Sequence, residues 1–290
     1  MRRVRFTIII VFVLSVIAFI AYNIFSRMVE DNEPPVITCD SDTISVSVED
    51  DESALLEGMT AEDNRDGDLT DSIRVSSMTN FTEPGKRTVT YAVFDNANLA
   101  ATYTRNLEYT DYTSPTIELS EPLRFSLEDI SDMNIAKNMT AQDCLDGDIT
   151  SQIRATFNDS MYIAQAGDYG VTVQVSNSAG DTCSVPLNVT LTDQSDYNER
   201  EKYYPLLSEY IAYTNIGKSL KLEDFIIGLE RSGSEYLFEE ADEAFLPGGR
   251  GDVEISGDVD YETAGTYTVD YTFTTEDGVS ATTKLAVVVR

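Results

Sequence analysis

Met59-Thr60-Ala61-Glu62-Asp63-Asn64-Arg65-Asp66-Gly67-Asp68-Leu69-Thr70 returns, 80 residues later, as Met139-Thr140-Ala141-Gln142-Asp143-Cys144-Leu145-Asp146-Gly147-Asp148-Ile149-Thr150. Self-similarity at that spacing predicts tandem domains in place of one large fold. The repeat extends outward from the quoted stretch. Pro35-Val36-Ile37 stands ahead of the first copy and Pro115-Thr116-Ile117 ahead of the second. Behind them, Thr88-Val89-Thr90-Tyr91-Ala92-Val93-Phe94 and Tyr169-Gly170-Val171-Thr172-Val173-Gln174-Val175 alternate polar and apolar residues, the pattern of half-buried strands. Tyr267-Thr268-Val269-Asp270-Tyr271-Thr272-Phe273 repeats the alternation and marks a third module.

A glycine leads into each of these strands (Gly85, Gly167, Gly265), and a polar turn separates each from a last strand such as Lys284-Leu285-Ala286-Val287-Val288-Val289. Short strands at regular spacing with polar turns predict an all-β chain of three tandem β-sandwiches. The expected domains are residues 34–112, 113–193 and 204–290, with residues 194–203 a polar linker or short helix. The third module departs from the pattern. Aligned on Gly85 and Gly265, the Asp66-Gly67-Asp68 positions fall on Leu246-Pro247-Gly248, so the acidic motif is lost. The stretch before it carries Ser232-Gly233-Ser234 and an acidic patch, Glu239-Glu240-Ala241-Asp242-Glu243.

Ahead of the modules, residues 6–25 read FTIIIVFVLSVIAFIAYNIF. Twenty residues at a helical rise of about 1.5 Å span about 30 Å, a bilayer core. Their Ile, Leu, Val and Phe side chains contribute about −4 to −8 kcal/mol to insertion before polar penalties. Residues 6–26 are therefore expected to form a transmembrane signal-anchor helix. Arg2, Arg3 and Arg5 place residues 1–5 in the cytoplasm and the modules outside. Cleavage as a signal peptide wants small residues at the first and third positions before the cut, and neither Ala21 with Phe19 nor Ser26 with Ile24 supplies them.

The net charge is −31, and residues 1–27 hold four arginines and no acid, so the rest of the chain carries −35. Such a surface repels nucleic acid and anionic headgroups and keeps the protein soluble. There is no His and no Trp. The lack of His removes Ser-His-Asp and Cys-His catalysis and the commonest zinc ligand. No Walker loop, G-x-S-x-G or H-E-x-x-H occurs, and nothing marks one carboxylate pair among 51 acids for the chemistry of glycosidases. The expectation is a protein that is not an enzyme and holds no cofactor, with Ca²⁺ the one ion its composition suits.

The combination A-x-D-x-x-D-G-D-[LI]-T, then a Gly-led strand, then a D/N-x-A-G-like turn, resembles the bacterial Ig-like repeats of surface proteins, including the type named after a pesticidal crystal protein. The resemblance is good for modules one and two and partial for three. It implies Ig-like sandwiches in an envelope setting, with no catalytic residue to transfer. The reading it supports is a membrane-anchored, extracellular, non-catalytic spacer of about 100 Å that presents a binding domain, the third module, to a protein or glycan ligand. The alternative is a calcium-dependent adhesin or carbohydrate-binding surface protein.

Asp63, Asp66 and Asp68, with Asp143, Asp146 and Asp148, supply hard oxygen ligands of the kind Ca²⁺ takes six to eight of. The spacing is not that of an EF-hand. The competing reading is a structural Asx turn, with Gly67 or Gly147 left-handed. In an Ig-like sandwich the loops of Cys144 and Cys183 lie at the same end, and both cysteines are replaced together in module one, by Asn64 and Ala101. A Cys144–Cys183 disulfide is expected, in keeping with export, and Cys39 is left as an idle thiol. Arg250-Gly251-Asp252 spells an integrin-type tripeptide but leads straight into a strand, and is read as chance. Tyr203, Tyr204, Tyr210 and Tyr213 are read as packing at a domain junction, with a sugar-binding shelf as the alternative.

Overall fold

The computed structural model of the chain describes residues 2–29, 31–158, 165–239 and 247–290. Helix α1 covers Arg2–Val29 and contains no Pro, Gly or acid. Its stretch Val4–Phe25 has a mean hydropathy of 2.8, none of it is buried against the rest of the protein, and it is long and apolar enough to cross a membrane. β-branched side chains this dense favour strands in water. In hydrocarbon each backbone group must find its partner within the segment, which selects the helix.

The chain divides into two compact units, Met1–Thr110 and Asp111–Arg290. After α1 the first unit is one sandwich. Strands β1 (Val36–Cys39), β2 (Thr43–Val46), β3 (Met59–Asp63), β4 (Gly67–Asp68), β5 (Arg74–Met78), β6 (Lys86–Phe94) and β7 (Ala100–Tyr109) form sheets of order β1-β3-β4 and β2-β7-β6-β5. The chain crosses between the sheets in the three residues separating β1, antiparallel to β3, from β2, parallel to β7. Alternation sets the core: Val89, Tyr91 and Val93 of β6 are fully buried against Ile37, Ile44, Ile73 and Leu107. The Tyr91 hydroxyl reaches across to donate to the carbonyl of Leu55, at 2.7 Å, in the 3-10 turn Glu52–Leu56.

The second unit holds two sandwiches. Strands β8 (Thr116–Leu119), β9 (Arg124–Ser126), β10 (Met139–Asp143), β11 (Gly147–Asp148), β12 (Arg154–Phe157), β13 (Gly167–Ser176) and β14 (Thr182–Thr192) repeat the first arrangement as β11-β10-β8 and β12-β13-β14-β9. A single turn of helix, α2 (Tyr197–Arg200), follows, the N–H of Asn198 met by the Asp196 carboxylate. The third module has β15 (Tyr204–Leu207), β16 (Ile211–Thr214), β17 (Ile226–Arg231), β18 (Ser234–Leu237), β19 (Val253–Ser256), β20 (Gly265–Thr274) and β21 (Ser280–Val289), in sheets β15-β17-β18 and β16-β21-β20-β19. The chain is thus all-β, in Ig-like sandwiches after one apolar helix, as the alternation predicted.

Modules two and three do not join end to end. One hydrophobic core runs through both, from Ile117, Val173 and Val189 to Tyr210, Ile211, Leu285 and Val287. The contact follows the second module from Ser114, whose carbonyl accepts from Arg290, past Ile117, bonded through N–H and C=O to the Tyr213 hydroxyl, to Arg124, paired with Glu230. Lys284 adds an ion pair to Asp168 at 3.8 Å. This corrects the expected serial stack: two modules packed along their flanks do not add their lengths.

Candidate functional site

The acidic repeat folds as a β-hairpin whose turn is held by its own carboxylates. Asp63 pairs with Gly67 across β3 and β4, and Gly67 is left-handed (φ 75°), as Gly147 is in the second copy (φ 70°). A Cβ there would meet nothing within 4 Å, so the backbone conformation, not space, calls for glycine. Asp63 Oδ1 accepts the N–H groups of Arg65 and Asp66, each at 2.8 Å. The Asp66 N–H, then that of Arg65, hold the Asp63 carboxyl below the usual range. Asp68 Oδ1 accepts from the Thr70 N–H at 2.9 Å, and the Thr70 hydroxyl, then its N–H, lower that carboxyl too. Asp143 and Asp148 make the same bonds to Leu145, Asp146 and Thr150.

Of the six aspartates singled out in the sequence, two come together with a third that was not. Oxygens of Asp31, Asp63 and Asp66 lie within 4.8 Å of one another. Asp68 stands outside this group, exposed and turned to Thr70. Arg65 Nε lies 3.9 Å from Asp31. Asp66 spans to the next turn, accepting from the Asn96 N–H at 2.8 Å and from Asn96 Nδ2 at 2.7 Å. In the second copy Asp146 accepts from the Ser178 N–H and hydroxyl.

The two copies differ at one buried position. In module two Asn177 follows the last residue of β13. Its Oδ1 accepts from Asp181 N–H at 2.9 Å, and its Nδ2 donates to Asp143 Oδ2 at 3.1 Å and to the Tyr112 hydroxyl at 2.9 Å. Tyr112 donates in turn to Asp181, and burial, then that bond, raise its pKa far above the usual phenol range. In module one Asp95 follows the last residue of β6, and its Oδ1 accepts from Leu99 N–H at 2.8 Å. Asp63 and Asp95 are only 7% and 6% exposed, and the Oδ2 of each has no hydrogen-bond partner. The sequence reading missed Asp31 and Asp95. The 80-residue offset, which pairs Asp31 with Asp111, and the matching turns after β6 and β13 were the available signals.

The Cys144–Cys183 disulfide expected from the sequence is not formed. All three cysteines are free. The Cys144 thiol donates to the Thr113 carbonyl at 3.1 Å, while Cys183, on the same face of β14 as Val185, lies 3.6 Å from the Tyr213 hydroxyl. Burial raises the Cys183 thiol pKa. Arg250-Gly251-Asp252 is a 3-10 turn leading into β19, with Asp252 accepting from the Gly249 N–H. Residues 240–246, which carry most of the acidic patch, lie outside the described residues.

An open cleft of about 440 Å³ lies in the second unit, between modules two and three, lined by Arg124, Glu199, Lys202, Tyr204, Glu230 and Glu235. Its polar groups answer one another. Arg124 stacks 3.7 Å over the Tyr204 ring and pairs with Glu230. Glu199 accepts from the Tyr204 hydroxyl at 2.6 Å and from Lys202 at 2.7 Å. Tyr203 packs on Tyr236 and Phe273 with Arg231 over its ring, and Tyr210 is buried. Tyr204, Tyr210 and Tyr213 thus meet module two through Arg124, Leu119 and Ile117, while Tyr203 packs within the third module.

Residues 42–108, in the first module, and 236–289, in the third, match the family model described as "Bacterial surface protein, Ig-like domain". The match corrects the relative weight given to the modules: the third, read as divergent, is matched along its strands β19 to β21. No curated protein matches the chain. Among solved structures, the CBM51-2 and INT domains of Clostridium perfringens ZmpB in complex with GlcNAc share 18% identity over 52% of this chain and 26% of that one, with a TM-score of 0.22. The chain spans about a quarter of the length of that clostridial structure. The lipoprotein BT2262 from Bacteroides thetaiotaomicron shares 12% identity over 87% of this chain and 98% of that one, at a TM-score of 0.20. Mouse cadherin-23 EC22-24 shares 14% over 89% and 99%, also at 0.20. Scores at this level carry no functional weight.

Proposed function

We propose that the protein is a non-catalytic, membrane-anchored surface protein whose Ig-like modules hold a binding face away from the bilayer. The observation that carries this reading is the pairing of a fully exposed apolar helix, Val4–Phe25, with sandwiches that match a bacterial surface-protein model. Among the described residues nothing apolar covers this helix, and lipid is the solvent that suits it. The arginines at positions 2, 3 and 5 put the N-terminus inside and the modules outside. The face presented is the third module with the cleft it shares with the second, since convergent polar groups in a concave site are how small ligands and glycans are gripped. The paired state of Glu199 and Glu230 supports binding over catalysis.

The test is protease treatment of intact cells that make the full chain with a C-terminal epitope. Loss of the epitope without permeabilisation is the expected result, and an epitope protected until the cells are opened reverses the topology and ends this reading. The mass of the protein recovered from membranes reports the anchor. A mature chain beginning beyond Phe25 would show that the helix is removed.

A further inference from the structure

We propose that module one, and not module two, contains a divalent-cation site for Ca²⁺, formed by Asp31, Asp63, Asp66 and Asp95. The argument starts from the internal comparison. Asn177 and Asp95 occupy the same place after the same strand, and each uses Oδ1 to accept the N–H of the residue four positions on. Asp95 Oδ2 therefore takes the position of Asn177 Nδ2, the atom that donates to Asp143 Oδ2. A carboxylate has no hydrogen to donate. In module two the amide closes the pair; in module one the corresponding oxygens, Asp63 Oδ2 and Asp95 Oδ2, are both buried and both lack a hydrogen-bond partner.

Two such oxygens more than nine-tenths buried are costly unless a positive charge lies between them. Arg65 pairs with Asp31 at 3.9 Å and acts on Asp63 through space, one positive charge set against four carboxylates. Oxygens of Asp31 and Asp66 are already gathered within 4.8 Å of Asp63. Four carboxylates without imidazole or thiolate make a hard-oxygen donor set, which suits Ca²⁺, tolerant of irregular geometry, over Zn²⁺ or strictly octahedral Mg²⁺. In module two Asn177 removes one negative charge and supplies a hydrogen-bond donor where the ion would sit.

The test is thermal unfolding of the full chain in detergent micelles, in chelator and in 5 mM CaCl₂ or MgCl₂, for wild type, Asp95→Asn and Asp68→Asn, joined to calorimetric titration with CaCl₂. Asp68→Asn removes the same charge from a residue outside the site and controls for general screening of an acidic protein. Wild type and Asp68→Asn should gain about 5 °C or more in the first unit's transition with Ca²⁺, and less with Mg²⁺. Asp95→Asn should lose that gain and should melt higher than wild type in chelator, because its amide donates to Asp63 as Asn177 does to Asp143. Equal Ca²⁺ gains in wild type and Asp95→Asn would overturn the site. So would the absence of Ca²⁺ heat when the wild-type chain is titrated.

Discussion

Two side chains that differ by one atom separate the acidic loops. Asn177 satisfies Asp143, and Asp95 leaves Asp63 unsatisfied. Asn177→Asp should accordingly destabilise the second unit by about 2–3 kcal/mol in chelator, since it replaces a buried donor with a second carboxylate; chemical denaturation measures it. The cysteines make a second prediction at this scale. Cys144 and Cys183 turn to Thr113 and Tyr213, not to each other. Thiol titration of protein purified without reductant and then unfolded should count three thiols; a count of one would restore the disulfide. Acid sensitivity also belongs to single residues. The folded-state pKa values of Asp63, Asp68 and Asp148 lie below the usual carboxylate value. Their contribution is therefore fully present above about pH 4 and is lost as pH falls through the lowered values. Melting temperature should drop on acidification in that window.

Elements repeat more faithfully than residues. In modules one and three a tyrosine six positions after the leading glycine ties the central strand to a 3-10 turn: Tyr91 to the Leu55 carbonyl at 2.7 Å and Tyr271 to the Leu222 carbonyl at 2.8 Å. Module two has Val173 there. This shared cross-tie goes with the family match, which falls on modules one and three. Tyr91→Phe and Tyr271→Phe should each cost about 1–2 kcal/mol, because a buried carbonyl loses its donor while the ring keeps its packing. Urea denaturation would show the loss in the transition of the unit that carries the change. The same substitution at Tyr109, whose hydroxyl contacts Arg87 near the surface, should have a smaller effect.

At the scale of the molecule, the shared core of modules two and three is the feature with the largest consequence. Leu285 of β21 is fully buried in a core that also holds Val173 and Val189 of module two. Leu285→Ala should cost about 2–5 kcal/mol and lower the protection of amides in β13 and β14 along with those of β20, which hydrogen exchange would detect. If module two kept full protection, the shared core would not be cooperative. Ending the chain after module two would also strip Tyr213 from Ile117 and Tyr210 from Leu119, exposing apolar surface. Loss of binding by such a truncation would report unfolding as much as removal of the binding face, so full-length variants at the cleft rim, such as Lys202→Ala with Glu235→Ala, are the better probe.

The sequence by itself determined the anchor-length helix, the strand pattern and the turn chemistry of the acidic repeats. Each depends on neighbours within a few residues: twenty apolar side chains in a row, period-two alternation, and aspartates capping N–H groups two and three positions on. Tertiary structure alone decided which carboxylates meet, where the thiols point and how the last two modules associate. Asp31 and Asp63 are separated by some thirty residues and come together only in the folded unit. Cys183 and Ile117 find Tyr213 only when a neighbouring sandwich packs alongside. Such pairings are settled by competition for buried surface across the whole unit, which no local window of the chain contains.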